Sequence, residues 1–209
     1  MYSVEVKNLT KKFGNFTAVN NISFKVKEGE IFGFLGANGA GKTTAIKMLC
    51  GLLLPTSGTA SISGFDLKTQ AKLIKQSIGY MSQRFSLYDD LTIFENMQLF
   101  GTIYGIPKKE LKQKIMQSLD ELGMKDKANI QVQSIPLGWK QKLAFATAIL
   151  HKPKVVFLDE PTSGVDPIVR REFWNLIYKT AAEGVTIFVT THYMDEAEYC
   201  EKISIMSDG

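Results

Sequence analysis

Cysteine is scarce in this chain of 209 residues: Cys50 and Cys200 are the only two. Two thiols so far apart fit neither a disulfide framework nor a zinc ligand set, so reduced, buried thiols in a cytosolic protein are the expectation. An excess of one charge is also missing. Lys and Arg number 25 against 21 Asp and Glu, a formal charge of +4, and the basic residues are scattered. Without a basic stripe, no nucleic-acid partner is expected. Long apolar runs are absent too. The longest, residues 48–54, is broken by Gly51 and falls far short of the roughly 20 residues that a membrane-crossing helix needs. The opening Met1-Tyr2-Ser3-Val4-Glu5 has no basic and apolar leader, so no secretory signal is visible. There is no low-complexity tract and no internal repeat. The remainder is ordinary, with 44% hydrophobic and 22% charged residues. That is too apolar for disorder and enough for one buried core.

The patterning changes twice along the chain. Residues 4–9, residues 23–26 and Ile31–Leu35 are β-rich runs bounded by turn residues. Residues 92–150 read as helices. Ile93, Met97, Phe100 and Tyr104 form one apolar stripe at helical spacing, and Leu111, Ile115, Leu119 and Leu122 form another. From 154 onward strands and helices alternate, with strands over 155–158, 186–189 and 203–206 and helices over 167–181 and 193–200. Such alternation predicts a parallel sheet covered on both faces. The expected fold is therefore α/β, with a mostly parallel sheet and an antiparallel N-terminal part. A helical insert at about 86–150 interrupts a core of residues 1–85 and 151–209.

Gly36-Ala37-Asn38-Gly39-Ala40-Gly41-Lys42-Thr43 has the spacing of a phosphate-binding loop. An apolar strand precedes it and a helix-compatible run follows. Glycines let successive backbone N–H groups turn inward onto phosphate oxygens, and the helix N-terminus adds its positive end. Lys42 then places a charge on the β- and γ-phosphates, and Thr43 offers a hydroxyl to Mg²⁺.

Asp159 and Glu160 end the apolar run Val155-Val156-Phe157-Leu158. In an open parallel sheet, ligands bind beyond the carboxyl ends of the strands. Asp159 is placed to reach Mg²⁺, and Glu160 to polarise an attacking water. Asp166 stands before Pro167 as a helix cap. His192 follows residues 185–190, another apolar strand, where it fits a γ-phosphate contact or a water-orienting role. Gln83 follows Ile78-Gly79-Tyr80-Met81-Ser82, and its amide oxygen can complete the Mg²⁺ shell.

This ordered set resembles the nucleotide-binding domain of ATP-binding cassette (ABC) transporters over essentially the full chain. The resemblance implies roles for matching residues. Phe13, in Leu9-Thr10-Lys11-Lys12-Phe13-Gly14, sits where the family places an aromatic against adenine. Residues 36–44, with Thr44 last, match the Walker A loop, and Asp159 and Glu160 the Walker B pair. Gln83 matches the Q-loop, Ser163-Gly164-Val165-Asp166 the D-loop, and His192 the switch histidine. Both Gln83-Arg84-Phe85-Ser86-Leu87-Tyr88-Asp89-Asp90-Leu91-Thr92 and Tyr193-Met194-Asp195-Glu196-Ala197-Glu198-Tyr199 look like the exporter-type (ABC-2) branch, nearest to bacterial multidrug-efflux subunits.

One stretch departs from the family. Its signature Leu-Ser-Gly-Gly-Gln is replaced by Ile135-Pro136-Leu137-Gly138-Trp139. The hydroxyl is gone, Pro136 has no N–H, and Leu137 hinders close approach to a phosphate. Gly138 is retained. In the family this motif serves the nucleotide held by the opposite subunit, so Gly138 and Asp166 are expected to act on a partner's site. The resemblance implies an ATPase that uses ATP and Mg²⁺. It would pair with a second cassette (identical, different or tandem) and drive transmembrane permease domains through the helical insert. It would sit peripherally at the cytoplasmic face of the cell membrane. Two other readings stay open: a nucleotide-binding regulatory module with little turnover, and a soluble ABC protein acting on ribosomes or nucleic acid. The final Ser207-Asp208-Gly209, in what reads as a strand turn, suggests a chain continuing beyond residue 209.

Overall fold

Ile31–Leu35 (β3) is an unbroken apolar run around Gly33, and all five residues are buried. Such a run is stable only as a strand covered on both faces. The computed structural model, which describes residues 1–83, 86–207 and 209, places it in a five-stranded parallel sheet. Its companions are Ile78–Met81 (β6), Val155–Asp159 (β7), Thr186–Thr191 (β8) and Lys202–Ile205 (β9), in the order β6-β7-β8-β3-β9. Tyr2–Phe13 (β1), Phe16–Lys27 (β2), Ser57–Ile62 (β4) and Phe65–Asp66 (β5) form a separate antiparallel sheet, ordered β2-β1-β4-β5. The mixed α/β fold read from the sequence is the fold found.

The two sheets share a core with Lys42–Leu49 (α1), whose buried Ile46, Met48 and Leu49 belong to the same apolar cluster as Val4, Phe32 and Ile62. Phe188 is the hub of an aromatic set, with ring centroids 5.2 Å from Phe32, 5.4 Å from Phe157 and 5.6 Å from Phe34. Full burial of one such side chain stabilises by about 1.5–3 kcal/mol, so this cluster ties β3, β7 and β8 firmly together. Pro167–Ala182 (α6) covers the other face of the sheet through Phe173, Trp174 and Ile177.

Between β6 and β7 the chain is helical. Ile93–Ile103 (α3), Lys108–Glu121 (α4) and Leu137–Ile149 (α5) pack around a cluster containing Met97, Ile115, Leu119 and Leu143. Thr92 starts α3 with a capping box, its hydroxyl accepting from Glu95 N–H while Glu95 returns to Thr92 N–H.

Several elements differ from expectation. β1 and β2 run well past residues 4–9 and 23–26. Ala71–Ser77 (α2) was not anticipated. Residues 193–200 form only a 3-10 turn, Met194–Tyr199. Cys50 is buried, but Cys200 is only partly so. Burial raises both thiols, Cys200 to about 12.

One half-buried titratable group sits between the helices and the sheet. His151 stacks on Tyr104, ring centroids 3.9 Å apart, and its Nε2–H donates to Ile78 O at 3.1 Å. Burial pushes its pKa from 6.5 down to about 4. Between those values the unfolded chain binds the proton that the folded chain refuses, so stability falls as pH drops through 6.5 and the fall ends near 4. Urea unfolding of the native protein is expected to show this dependence, and His151→Phe to lose the histidine's share. An equal pH dependence in both would contradict the assignment.

Candidate functional site

Sheet register determines what meets at the site. Leu35 pairs with Thr191, and Asp159 with Thr190, so β3, β7 and β8 end level. The loops that follow carry the phosphate-loop glycines, Glu160 and His192 to one edge. β6, on the far side of β7, delivers Gln83 to the same edge.

The phosphate loop turns sharply, with Gly39 at φ 85° and Gly41 at φ 98°. Only glycine adopts such values without strain. A Cβ on Gly41 would also lie 2.1 Å from Ala18 O, and one on Gly36 2.4 Å from Met206 O. Gly36 N–H donates to Thr191 O, and Ala40 N–H closes a turn onto Ala37 O. α1 then starts at Lys42. An open cleft of about 280 Å³ lies over this loop, bordered among others by Asn38, Gly39, Lys42, Thr43, Thr44 and Glu160.

Lys42 is almost fully buried. Its ammonium donates to Gly36 O at 2.7 Å and Ala37 O at 3.0 Å, and pairs with Glu160 Oε1 at 3.2 Å. The other carboxylate oxygen, Oε2, accepts from Gln83 Nε2 and from His192 Nδ1–H, each at 3.1 Å. Glu160 holds this position at φ 49°, the left-handed region. A non-glycine residue there costs on the order of 1–3 kcal/mol and persists where its surroundings overdetermine it. Here Lys42, Gln83, His192 and the Thr190 hydroxyl at the sheet edge do so.

Asp159 lies beside this group. Its Oδ1 accepts from Thr190 Oγ1 at 2.8 Å and Thr43 Oγ1 at 3.2 Å. Burial pushes the carboxyl up, against the pull of those two hydroxyls. Its Oδ2 is buried with no hydrogen-bond partner among the described residues. A hydroxyl and an unpaired carboxylate oxygen side by side are hard donors of the type Mg²⁺ takes. Among the described residues no group of three His, Cys, Asp or Glu forms a metal cage. A cation here would therefore share its ligands with phosphate, the usual arrangement for magnesium.

Lys42, Thr43, Gln83, Asp159, Glu160 and His192 are thus brought together. Phe13 is not among the residues bordering the cleft. It is half exposed at the hairpin tip, with Lys11 Nζ 5.1 Å from its ring centre. Phe16, paired with it across the turn, borders the cleft instead. Gly138 and Asp166 lie at the adjoining starts of α5 and α6. A Cβ on Gly138 would stand 2.7 Å from Val169 Cγ1, so glycine is needed there for close helix packing. Asp166 caps α6, accepting from Ile168 and Val169 N–H at 3.0 Å. Trp139 packs partly buried against the helical cluster, with Lys127 and Lys142 at 5.4 and 5.6 Å from its ring. Leu137 is exposed. Arg84 and Phe85, from the exporter-like stretch, lie outside the described residues, as does Asp208.

Sequence reasoning missed Phe16, which has the residue type but not the expected position, and Thr190, the hydroxyl that pins Asp159. Thr190 also accepts from Glu160 N–H at 3.0 Å. Its position opposite Asp159 follows from the strand order, which no motif carries.

Comparison with known proteins agrees with this geometry. The family model described as ABC transporter matches residues 19–163. The chain is 50% identical over 206 residues to the probable multidrug ABC transporter ATP-binding protein YbhF of Escherichia coli K12, covering 99% of this chain but 36% of that protein. It is 35% identical over 207 residues to the linearmycin resistance ATP-binding protein LnrL of Bacillus subtilis 168, covering 99% of this chain and 67% of that protein. Among solved structures, the ATP-binding cassette MJ0796, a dimer in a post-hydrolysis state with ADP and Pi, superposes with a TM-score of 0.88 at 27% identity, covering 99% of this chain and 95% of that one. CbiO1 of Clostridium perfringens, part of the transporter complex cbiONQ, has a TM-score of 0.88 at 26% identity, covering 100% and 86%. With a phosphate loop, an acidic strand end and a family match of this extent, the chain belongs to the ABC transporter ATP-binding family and has its P-loop nucleotide-binding fold.

Proposed function

We propose that this cassette hydrolyses Mg-ATP to power a membrane exporter, with multidrug efflux as the transport class. The carrying observation is the convergence of Lys42, Gln83 and His192 on one carboxylate, Glu160, next to the Thr43–Asp159 pair. Lys42 would hold the β- and γ-phosphates. Thr43, Asp159 and Gln83 would hold Mg²⁺, which when bound neutralises charge on the phosphoryl oxygens. Glu160 would polarise the attacking water, and His192 would contact the γ-phosphate. The adenine ring is assigned to the hairpin tip that carries Phe13 and Phe16.

Two such domains would close over two nucleotides, each offering Gly138 and Asp166 to the other's site. The altered signature weakens that offer. Permease domains would dock on the helical region. An apolar groove of about 170 Å³ between β6, α3 and α5, bordered by Tyr80, Leu87, Phe100 and Tyr104, supports this placement. The cassette would then lie at the cytoplasmic face of the membrane. The same altered signature also favours a second reading, a nucleotide-binding module with little turnover.

Calorimetry with ATP, with and without magnesium, together with phosphate release by the homodimer, separates these readings. Magnesium-dependent binding and steady release are expected, with roughly tenfold faster release after Pro136→Ser plus Leu137→Gly restores a donor to the partner's phosphate. Binding without release in both forms would establish the module. Release unchanged by the repair would remove the signature from the account. No magnesium-dependent binding would end both readings.

A further inference from the structure

Four residues beyond His192, the carboxyl side chain of Glu196 is completely buried and belongs to none of the site motifs. A carboxylate taken out of water this far is costly unless held, and losing one holder of such a group is strongly destabilising. Two residues hold it. Thr162 Oγ1, itself buried two positions after Glu160, donates a hydrogen bond to Glu196 Oε1. Arg170 Nε, from the second turn of α6, lies 3.5 Å from the same oxygen, at ion-pair distance without a hydrogen bond, and Glu196 Oε2 has no hydrogen-bond partner among the described residues.

Arg170 also grips the rest of the turn. Its Nη1 is 3.4 Å from Asp195 Oδ2, and its guanidinium carbon stands 4.2 Å from the centre of the Tyr193 ring. Tyr193 in turn lies against the His192 imidazole, ring centroids 4.1 Å apart. The turn itself is only 3-10, closed by Glu196 N–H onto Tyr193 O at 3.3 Å. A short turn of poor hydrogen-bond geometry does not fix a side chain at its start. The contacts of Thr162 and Arg170 with Glu196 tie it to neighbouring elements.

We propose that Thr162, Glu196 and Arg170 form a positioning unit that locks the His192 turn to the segment following Glu160 and to the start of α6. The unit sets the orientation of the imidazole towards the Glu160 carboxylate. It also makes that orientation depend on the loop between Glu160 and Asp166. None of the three residues touches the cleft, so they act through His192. The inference deepens the hydrolytic reading and rests on its assignment of His192.

Thr162→Val removes the hydroxyl at constant shape, and Thr162→Ser restores it. In the full-length protein, Thr162→Val is expected to lower kcat for phosphate release roughly 10- to 100-fold, the penalty for misplacing a reacting group by about 1 Å. KM for ATP should stay within about threefold, and Thr162→Ser should recover most of kcat. In a His192→Ala background Thr162→Val should add little, because the group it positions is gone. The His192 ring signal in NMR, assigned with His192→Ala, should shift in Thr162→Val even without nucleotide. An unshifted signal, an additive loss of kcat, or a rise in KM at constant kcat would overturn the proposal. If the unaltered protein binds Mg-ATP but releases no phosphate, the hydrolytic reading fails, and the NMR comparison still decides whether the unit positions His192.

Discussion

Glu160→Gln is expected to lower phosphate release by roughly 10²- to 10⁴-fold, the range over which a positioned base contributes. The substitution preserves volume. The amide oxygen can still accept from Gln83 and His192, which reach Glu160 at 3.1 Å each. What disappears is the negative charge that polarises water. ATP binding should survive and tighten, because Lys42 no longer has an internal counter-ion at 3.2 Å to leave behind. Rapid-quench phosphate release and calorimetry on the same preparation measure the two effects. Release within about threefold of the native protein would remove Glu160 from the chemistry.

Lys42→Ala acts on the same pair from the other side and should have two separable consequences. Nucleotide affinity should fall at least 100-fold, in line with the ~2–5 kcal/mol lost when one partner of a buried charge pair is truncated. Stability should fall as well, since Glu160 is left buried without its cation, at a cost of about 3–5 kcal/mol. For a chain of this size that corresponds to roughly 6–20 °C in thermal midpoint. Adding Glu160→Gln to Lys42→Ala should recover much of the midpoint and none of the affinity. Calorimetry and thermal unfolding of the single and double variants provide the check. Retained affinity in Lys42→Ala would place the phosphates elsewhere.

The site was legible in the sequence wherever its chemistry is contiguous. Residues 36–44 announce a phosphate loop because the glycines, Lys42 and Thr43 must follow one another. The Asp159-Glu160 pair reads as a strand end because four apolar residues precede it. Legibility ends where function depends on register. Thr190 matters because β7 and β8 align it with Asp159, and Glu196 matters because a turn folds it under Thr162 and Arg170. The N-terminal strands were read short for a local reason. Asn8 adopts φ 51° and Asn21 φ 53°, and the β1–β2 register slips between Val6 and Leu9. A bulge of this kind reverses which face successive side chains take, so an alternating pattern stops although the strand continues. Phe16 goes unread because the family pattern points to Phe13, whereas the hairpin turns the residue paired with it to the cleft's rim.

The Lys42–Glu160 pair has a meaning for the idle cassette. A bare ammonium beside the phosphate loop would attract anions of many kinds, from inorganic phosphate to nucleic-acid backbone. Here that ammonium is already neutralised from within. An incoming anion must displace a resident carboxylate to reach this ammonium, and a ligand bringing more negative oxygens does so more readily. Anion binding at this loop is thus a contest of counter-ions from the start.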